Sequence, residues 1–260
     1  LKLLCIASVN FLMRPLFHRH MLNIKEVVTK IVGIHTYSEN LRVFTLRLPS
    51  GNGFSFVPGQ FVMVSLPSHV DANGRKIAKA YSIASSPSES GILELCIASY
   101  PAGALSPKLF KKGVGDEVIV TGPYGVFQLK TPVPSGTVFI AGGTGLAPLM
   151  SMLRSLYAEG YNEKLWLFYS ASEPKLFMFK DELIGFGSNS GLKLIVSTSK
   201  PESSWQWEKG RVTEIFPKHA AEISKDAQFY ICGPPLMVTD AVKMLEQLGF
   251  KKENIHKEQW

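Results

Sequence analysis

Cysteine is scarce in this 260-residue chain: Cys5, Cys96 and Cys232 are all it holds, and no two form a Cys-x-x-Cys pair. Three thiols make no disulfide framework and cannot supply the four thiolates of an iron–sulfur cluster. No metal site is therefore expected, and any cluster chemistry belongs to another protein. Long apolar runs are missing too. The run from Leu3 to Met13 is about eleven residues, too short to cross a bilayer, and it lacks a small-residue cleavage site for secretion. Arg14, His18, Arg19 and His20 follow it. A surface-lying amphipathic anchor is one reading of residues 1–22; an extension ahead of Met21 is the reading favoured. Cytoplasmic residence is the default expectation. Charge is sparse, at 19% of residues against 45% hydrophobic, the balance of a globular protein in water. Acidic residues are the scarcer sign, 21 against 28 basic ones, for a net charge of +7. That excess suits acidic partners. The lysines are scattered and no helix-turn-helix or aromatic–basic strand is present, so nucleic acid is not expected.

What is present divides into two rhythms. From Ile24 to about Leu129, short alternating runs suit strands, among them residues 27–32, 42–48, 60–66, 93–97 and 117–120. Glycine and proline clusters separate them, and such spacing suggests a small antiparallel barrel. After Pro132-Val133-Pro134-Ser135-Gly136 the pattern changes. Apolar strands at 137–141, 164–170, 192–197 and 228–232 alternate with helical stretches at 148–159, 175–183, 212–219 and 235–248. Alternation of this kind argues for a parallel sheet covered on both faces. The expected organisation is an extension (1–22), an antiparallel β-barrel (23–131) and a Rossmann-like parallel α/β domain (132–260).

Three segments carry chemistry. Lys79-Ala80-Tyr81-Ser82 sets a cation and a phenol on one face of an extended run, with a hydroxyl beside them. Gly142-Gly143-Thr144-Gly145-Leu146-Ala147-Pro148 lies between an apolar strand and a helix, where backbone N–H groups cradle phosphate. Cys232-Gly233-Pro234-Pro235 ends another strand, at the edge where open α/β sheets bind ligands. Gly103-Ala104-Leu105-Ser106 offers a further phosphate site at a helix start, although a serine there more often caps the helix. A cysteine at a strand end is likewise most often a small buried apolar residue.

In this order and spacing the segments resemble the ferredoxin–NADP⁺ reductase superfamily, and the resemblance runs from about Ile24 to Trp260. It implies an N-terminal flavin-binding β-barrel and a C-terminal nicotinamide-binding α/β domain. It implies FAD as cofactor, held by Lys79, Tyr81, Ser82, Ile97, Gly103, Ala104, Leu105 and Ser106. Lys79 stands where the family carries arginine, keeping the charge without the bidentate fork. It implies NADPH or NADH on Gly143, Thr144, Gly145, Cys232, Gly233, Pro234 and Met237. Ser82, Cys232 and Glu258 are implied beside the reacting atoms, and Trp260 as the ring covering the flavin. Ser172, Lys175, Ser199 and Lys200 follow two strands with no acid closing the second, which leans towards a 2′-phosphate and NADPH; Glu173 argues the other way. The implied activity is hydride transfer from NAD(P)H to flavin, then single electrons to a separate acidic carrier such as ferredoxin or another iron–sulfur or haem protein. A reductase with loosely held flavin, and a non-catalytic relay subunit of a larger complex, are the alternatives.

Overall fold

A computed structural model describes residues 24–51, 53–189 and 191–259. The first half forms six antiparallel strands: β1 (Lys25–Ser38), β2 (Leu41–Arg47), β3 (Phe61–Val70), β4 (Lys76–Ser82), β5 (Ile92–Ala98) and β6 (Glu117–Tyr124). Their order in the sheet is β4-β3-β6-β1-β2-β5. The two edge strands meet where Ile83 bridges Leu95 and the Ala84 N–H donates to the Glu94 carbonyl at 2.8 Å, which curls the sheet into a barrel. Alternation drives it. Val27 and Ile31 on β1 point inwards with Phe44, Val62, Ile83, Leu93 and Val118, while intervening residues face water. A short helix, α1 (Ser106–Leu109), plugs one end with Leu105 and Leu109.

β1 runs well beyond the expected 27–32. Its second half, His35 to Ser38, is too polar to read as a strand. Register shifts after Ile31 and after Thr36 let one long strand bend, pairing first with β6 and then with β2.

The second half is a parallel sheet of β7 (Thr137–Gly142), β8 (Leu165–Ala171), β9 (Leu192–Thr198), β10 (Glu208–Lys209), β11 (Phe229–Gly233) and β12 (Ile255–Gln259), in the order β10-β9-β8-β7-β11-β12. All six residues of β7 are buried, as expected of a strand covered on both faces. Phe139 and Ala141 pack beneath α2 (Leu146–Ala158) and α3 (Lys180–Asn189). Val138 and Ile140 pack beneath α4 (Val212–Ile215) and α5 (Pro235–Gln247). The chain leaves β7 in one direction and returns to β11 on its other side. That reversal is a topological switch point.

Other elements differ from the sequence expectation too: α4 covers only the first turn of the helix expected at 212–219 and gives way to 3₁₀ turns, and β10 has no counterpart among the expected strands. The helix expected at 175–183 is replaced by a single 3₁₀ turn at Pro174–Leu176 and then α3, which starts at Lys180. Phe179 breaks it with φ +53°, because its N–H donates to the Tyr37 hydroxyl of β1 at 2.8 Å. β12 was not expected as a strand. His256 to Gln259 are polar, and an edge strand keeps one side in water.

The connection 125–136, where the sequence suggests the domain join, runs between the two sheets. An apolar cluster crosses it: Leu41, Val43, Cys96 and Phe127 pack with Phe139, Leu149, Met152 and Leu153. The Lys130 N–H in the connection donates to the Tyr230 hydroxyl at 2.8 Å. Among the described residues no helix is long and apolar enough to cross a membrane.

Candidate functional site

Two clefts open side by side where the barrel meets the carboxyl edge of the parallel sheet. The first, about 460 Å³, is walled by Lys79, Tyr81 and Ser82 of β4, Cys96 and Ala98 of β5, Gly103 to Ser106, and Glu258 and Gln259 of β12. Burial pushes the Tyr81 phenol up to about 12, so it stays a neutral donor. Ser106 is the first residue of α1 while Leu105 takes the cap position, and no side-chain cap bond forms. The helix-cap alternative for Ser106 is therefore not realised, and its hydroxyl remains on the wall. A β-carbon at Gly103 would crowd Ser106 Oγ and the Tyr100 carbonyl, so a larger residue there would shift the Ser106 hydroxyl on the wall.

Glu258 reaches the cleft through strand pairing. β12 lies parallel to β11, with Cys232 opposite Glu258 and Gly233 opposite Gln259. Burial pushes the Glu258 carboxyl up to about 7, a rise that the Ser82 hydroxyl on the same wall partly offsets. Glu258 Oε2 is buried without a hydrogen-bond partner in the protein. A buried carboxyl oxygen on a cleft wall is satisfied by a polar group entering the cleft. A flavin ring edge fits that description, and the Lys79, Gly103 and Ser106 group fits a pyrophosphate.

The second cleft, about 520 Å³, lies over the switch point. Gly142 closes β7, and Gly143 and Thr144 follow it; Ser170 lies near the end of β8 and Ser172 just beyond it; Ser199 follows β9; Pro234, Met237 and Asp240 follow β11. The glycine turn and the Cys232 segment are locked together, because a β-carbon at Gly145 would overlap the Cys232 carbonyl and Gly233 Cα. Gly143 takes φ +53°, turning the chain out of β7 and into α2 beside the cleft, with Gly143 and Thr144 on its wall. Ala98, Tyr100 and Thr144 wall both clefts. Two flat ligands bound here would meet across that shared wall.

Six residues singled out from sequence lie off both walls. Ile97, Gly145, Cys232 and Gly233 are buried; Ile97 belongs to the barrel interior, and Cys232 packs among the residues under α2. Lys175 and Lys200 are exposed and both pair with Glu173, at 3.0 and 3.5 Å. Trp260 lies outside the described residues, one position beyond Gln259. Sequence reasoning missed Tyr100, Arg211 and Thr213. Arg211 lines the second cleft just after Gly210, at a strand-to-helix crossover, but the two-residue β10 gives no periodic signal to mark it.

The family described as oxidoreductase FAD-binding domain matches residues 28–129, and the oxidoreductase NAD-binding domain matches residues 139–243. The reductase component of propane 2-monooxygenase from Rhodococcus jostii (strain RHA1) is 31% identical over 240 residues, which are 89% of this chain and 63% of that protein. The chain thus spans less than two thirds of that relative. Ferredoxin–NADP reductase B from Sorangium cellulosum (strain So ce56) is 27% identical over 247 residues, covering 92% of this chain and all of that protein. A solved ferredoxin NADP⁺ reductase from Neisseria gonorrhoeae with bound FAD and NADP superposes with a TM-score of 0.76 at 23% identity, over 90% of this chain and 98% of that one. The two family models lie end to end over most of the chain, which is therefore an oxidoreductase built of an FAD-binding domain followed by an NAD-binding domain, on the fold of the ferredoxin NADP⁺ reductase structure.

Proposed function

We propose that this chain takes hydride from NADPH and delivers electrons one at a time to a separate acidic electron-carrier protein. The observation that carries this reading is the shared wall of Ala98, Tyr100 and Thr144 between two clefts, with the Ser82–Glu258 pair on the flavin side. FAD, when bound, supplies the conversion of a two-electron hydride into single electrons. The protein's part is to hold two rings in contact, keep water out and hold a proton at Glu258. The oxygenase reductase component among the relatives favours an oxygenase partner as acceptor.

The preference for NADPH rests on different residues from those the sequence suggested. Lys175 and Lys200 are tied to Glu173, which leaves Arg211, Ser172 and Ser199 on the wall near the ends of β8 and β9. A guanidinium with hydroxyls suits a 2′-phosphate. Asp240, the one acid on that wall, stands on α5, which follows β11. Steady-state reduction of a one-electron dye with NADPH and NADH tests both points. Arg211→Ala should raise KM for NADPH about tenfold or more, the loss of one charge-assisted contact, with little change for NADH. An isolated FAD-loaded chain that neither coenzyme reduces would sink the reading.

A further inference from the structure

Away from both clefts, one guanidinium ties the two sheets together. Arg154 lies on α2, the helix that the glycine turn opens, and its side chain is only 12% exposed. Its Nε and Nη2 donate to the two carboxylate oxygens of Glu182 on α3, both at 2.7 Å. Nη1 donates to Glu94 Oε2 on β5 at 2.6 Å and to the Ala84 carbonyl at 3.0 Å. The guanidinium carbon sits 4.8 Å from the centre of the Phe179 ring. Each partner is close in sequence to a cleft wall. Ala84 is two residues beyond Ser82, and Glu94 is two residues before Cys96. Glu182 and Phe179 follow the segment that carries Ser172 and Leu176. Arg154 itself lines neither cleft.

Stability alone does not account for this arrangement. Removing charges from water costs about what a buried ion pair returns, so apolar residues of similar volume would hold the interface as well. A planar fork with three partners fixes direction and distance, which apolar packing does less strictly. We propose that Arg154 is a positioning residue for transfer between the clefts, holding the barrel strand ends that wall the flavin cleft in register with the coenzyme-binding sheet. The inference rests on the function proposed above. A small misplacement of reacting rings costs rate steeply while binding contacts survive.

The test uses the FAD-loaded protein and three variants: Arg154→Met, Arg154→Lys and Glu182→Gln. Stopped-flow reduction of the bound flavin by NADPH should slow about tenfold or more in Arg154→Met, with coenzyme affinity and FAD content retained. Long-wavelength charge-transfer absorbance between flavin and coenzyme should weaken in step. Lysine should not rescue, because a point charge lacks the fork; Glu182→Gln should fall between. In the apoprotein, hydrogen exchange at the Phe179 amide should quicken in Arg154→Met. Wild-type reduction rates and charge-transfer bands in the variants would overturn the proposal, as would equal losses of rate, affinity and FAD. If Arg154→Met does not fold, Glu182→Gln, which leaves the Glu94 contact in place, decides alone. A wild-type protein that NADPH and NADH both fail to reduce would overturn the functional reading itself, and this proposal with it.

Discussion

A carboxyl that titrates near neutrality needs burial without a countercharge, and Glu258 has both: its pKa rises to about 7 and no cation is among the causes. The folded state therefore holds a proton that the unfolded state gives up near the ordinary carboxyl value of 4.5. The stability this contributes is full below pH 4.5 and is lost as pH rises through about 7. Urea unfolding of the apoprotein should show stability falling across that window, and Glu258→Gln should flatten the fall. The same variant should slow reduction of bound FAD by roughly a hundredfold, the lower range for a lost acid–base group; an unaltered rate and an unaltered pH profile would remove Glu258 from the chemistry. Cys232 separates the two readings its sequence position left open. It is fully buried and lines neither cleft, so Cys232→Ala should lower unfolding free energy by about 1 kcal/mol and leave the rate per folded molecule unchanged. A slowed rate at unchanged stability would instead put it beside the reacting carbon. Ser82 and Glu258 were legible because each sits in or near a recognisable motif. Arg211 was not, because an exposed arginine in a loop looks like any solvated surface charge until the fold brings it to a wall.

Strands and helices were legible in proportion to their burial. β7, β8 and β11 announce themselves as unbroken apolar runs because helices cover both faces. β12 and the second half of β1 were hidden because one side of each faces water or a cleft, and their polar residues carry no period. α3 was displaced by a contact that no local pattern encodes, the Phe179–Tyr37 hydrogen bond 142 residues apart in sequence. The glycine turn was legible as a motif, but its tightest constraint was not, since Gly145 touches backbone from a segment nearly ninety positions later. Gly145→Ala should push the turn away from β11. Overpacking costs about 1–3 kcal/mol, and the upper end applies here because the obstructing atoms are backbone. Coenzyme affinity should fall with it, because the α2 N-terminus moves. Urea unfolding and coenzyme titration check both; a variant with native stability and native affinity would show that the turn and β11 are not locked.

At the scale of the whole molecule, one apolar cluster runs from the barrel into the parallel sheet, so the two clefts lie side by side in one packed body. On the function proposed above, selectivity for a carrier rests on the outer surface. The chain carries a net charge of +7. Lys79 walls the flavin cleft and is exposed, and Lys108 on α1 is exposed just beyond Ser106. An acidic carrier approaching that opening is drawn by a field that reaches about 30 Å at 0.01 M salt and about 8 Å at 0.15 M. Steering of this kind raises encounter rates by roughly 10- to 1,000-fold. With NADPH saturating, the second-order rate of reduction of an acidic ferredoxin should therefore fall at least tenfold between those salt concentrations. Reduction of a neutral quinone should stay flat, because it meets the same flavin without a charge to steer. Lys79→Gln and Lys108→Gln should each flatten the ferredoxin slope, and Lys108→Gln should leave the quinone rate untouched. Equal salt dependence for both acceptors would show that the positive charge serves something other than carrier docking at this opening.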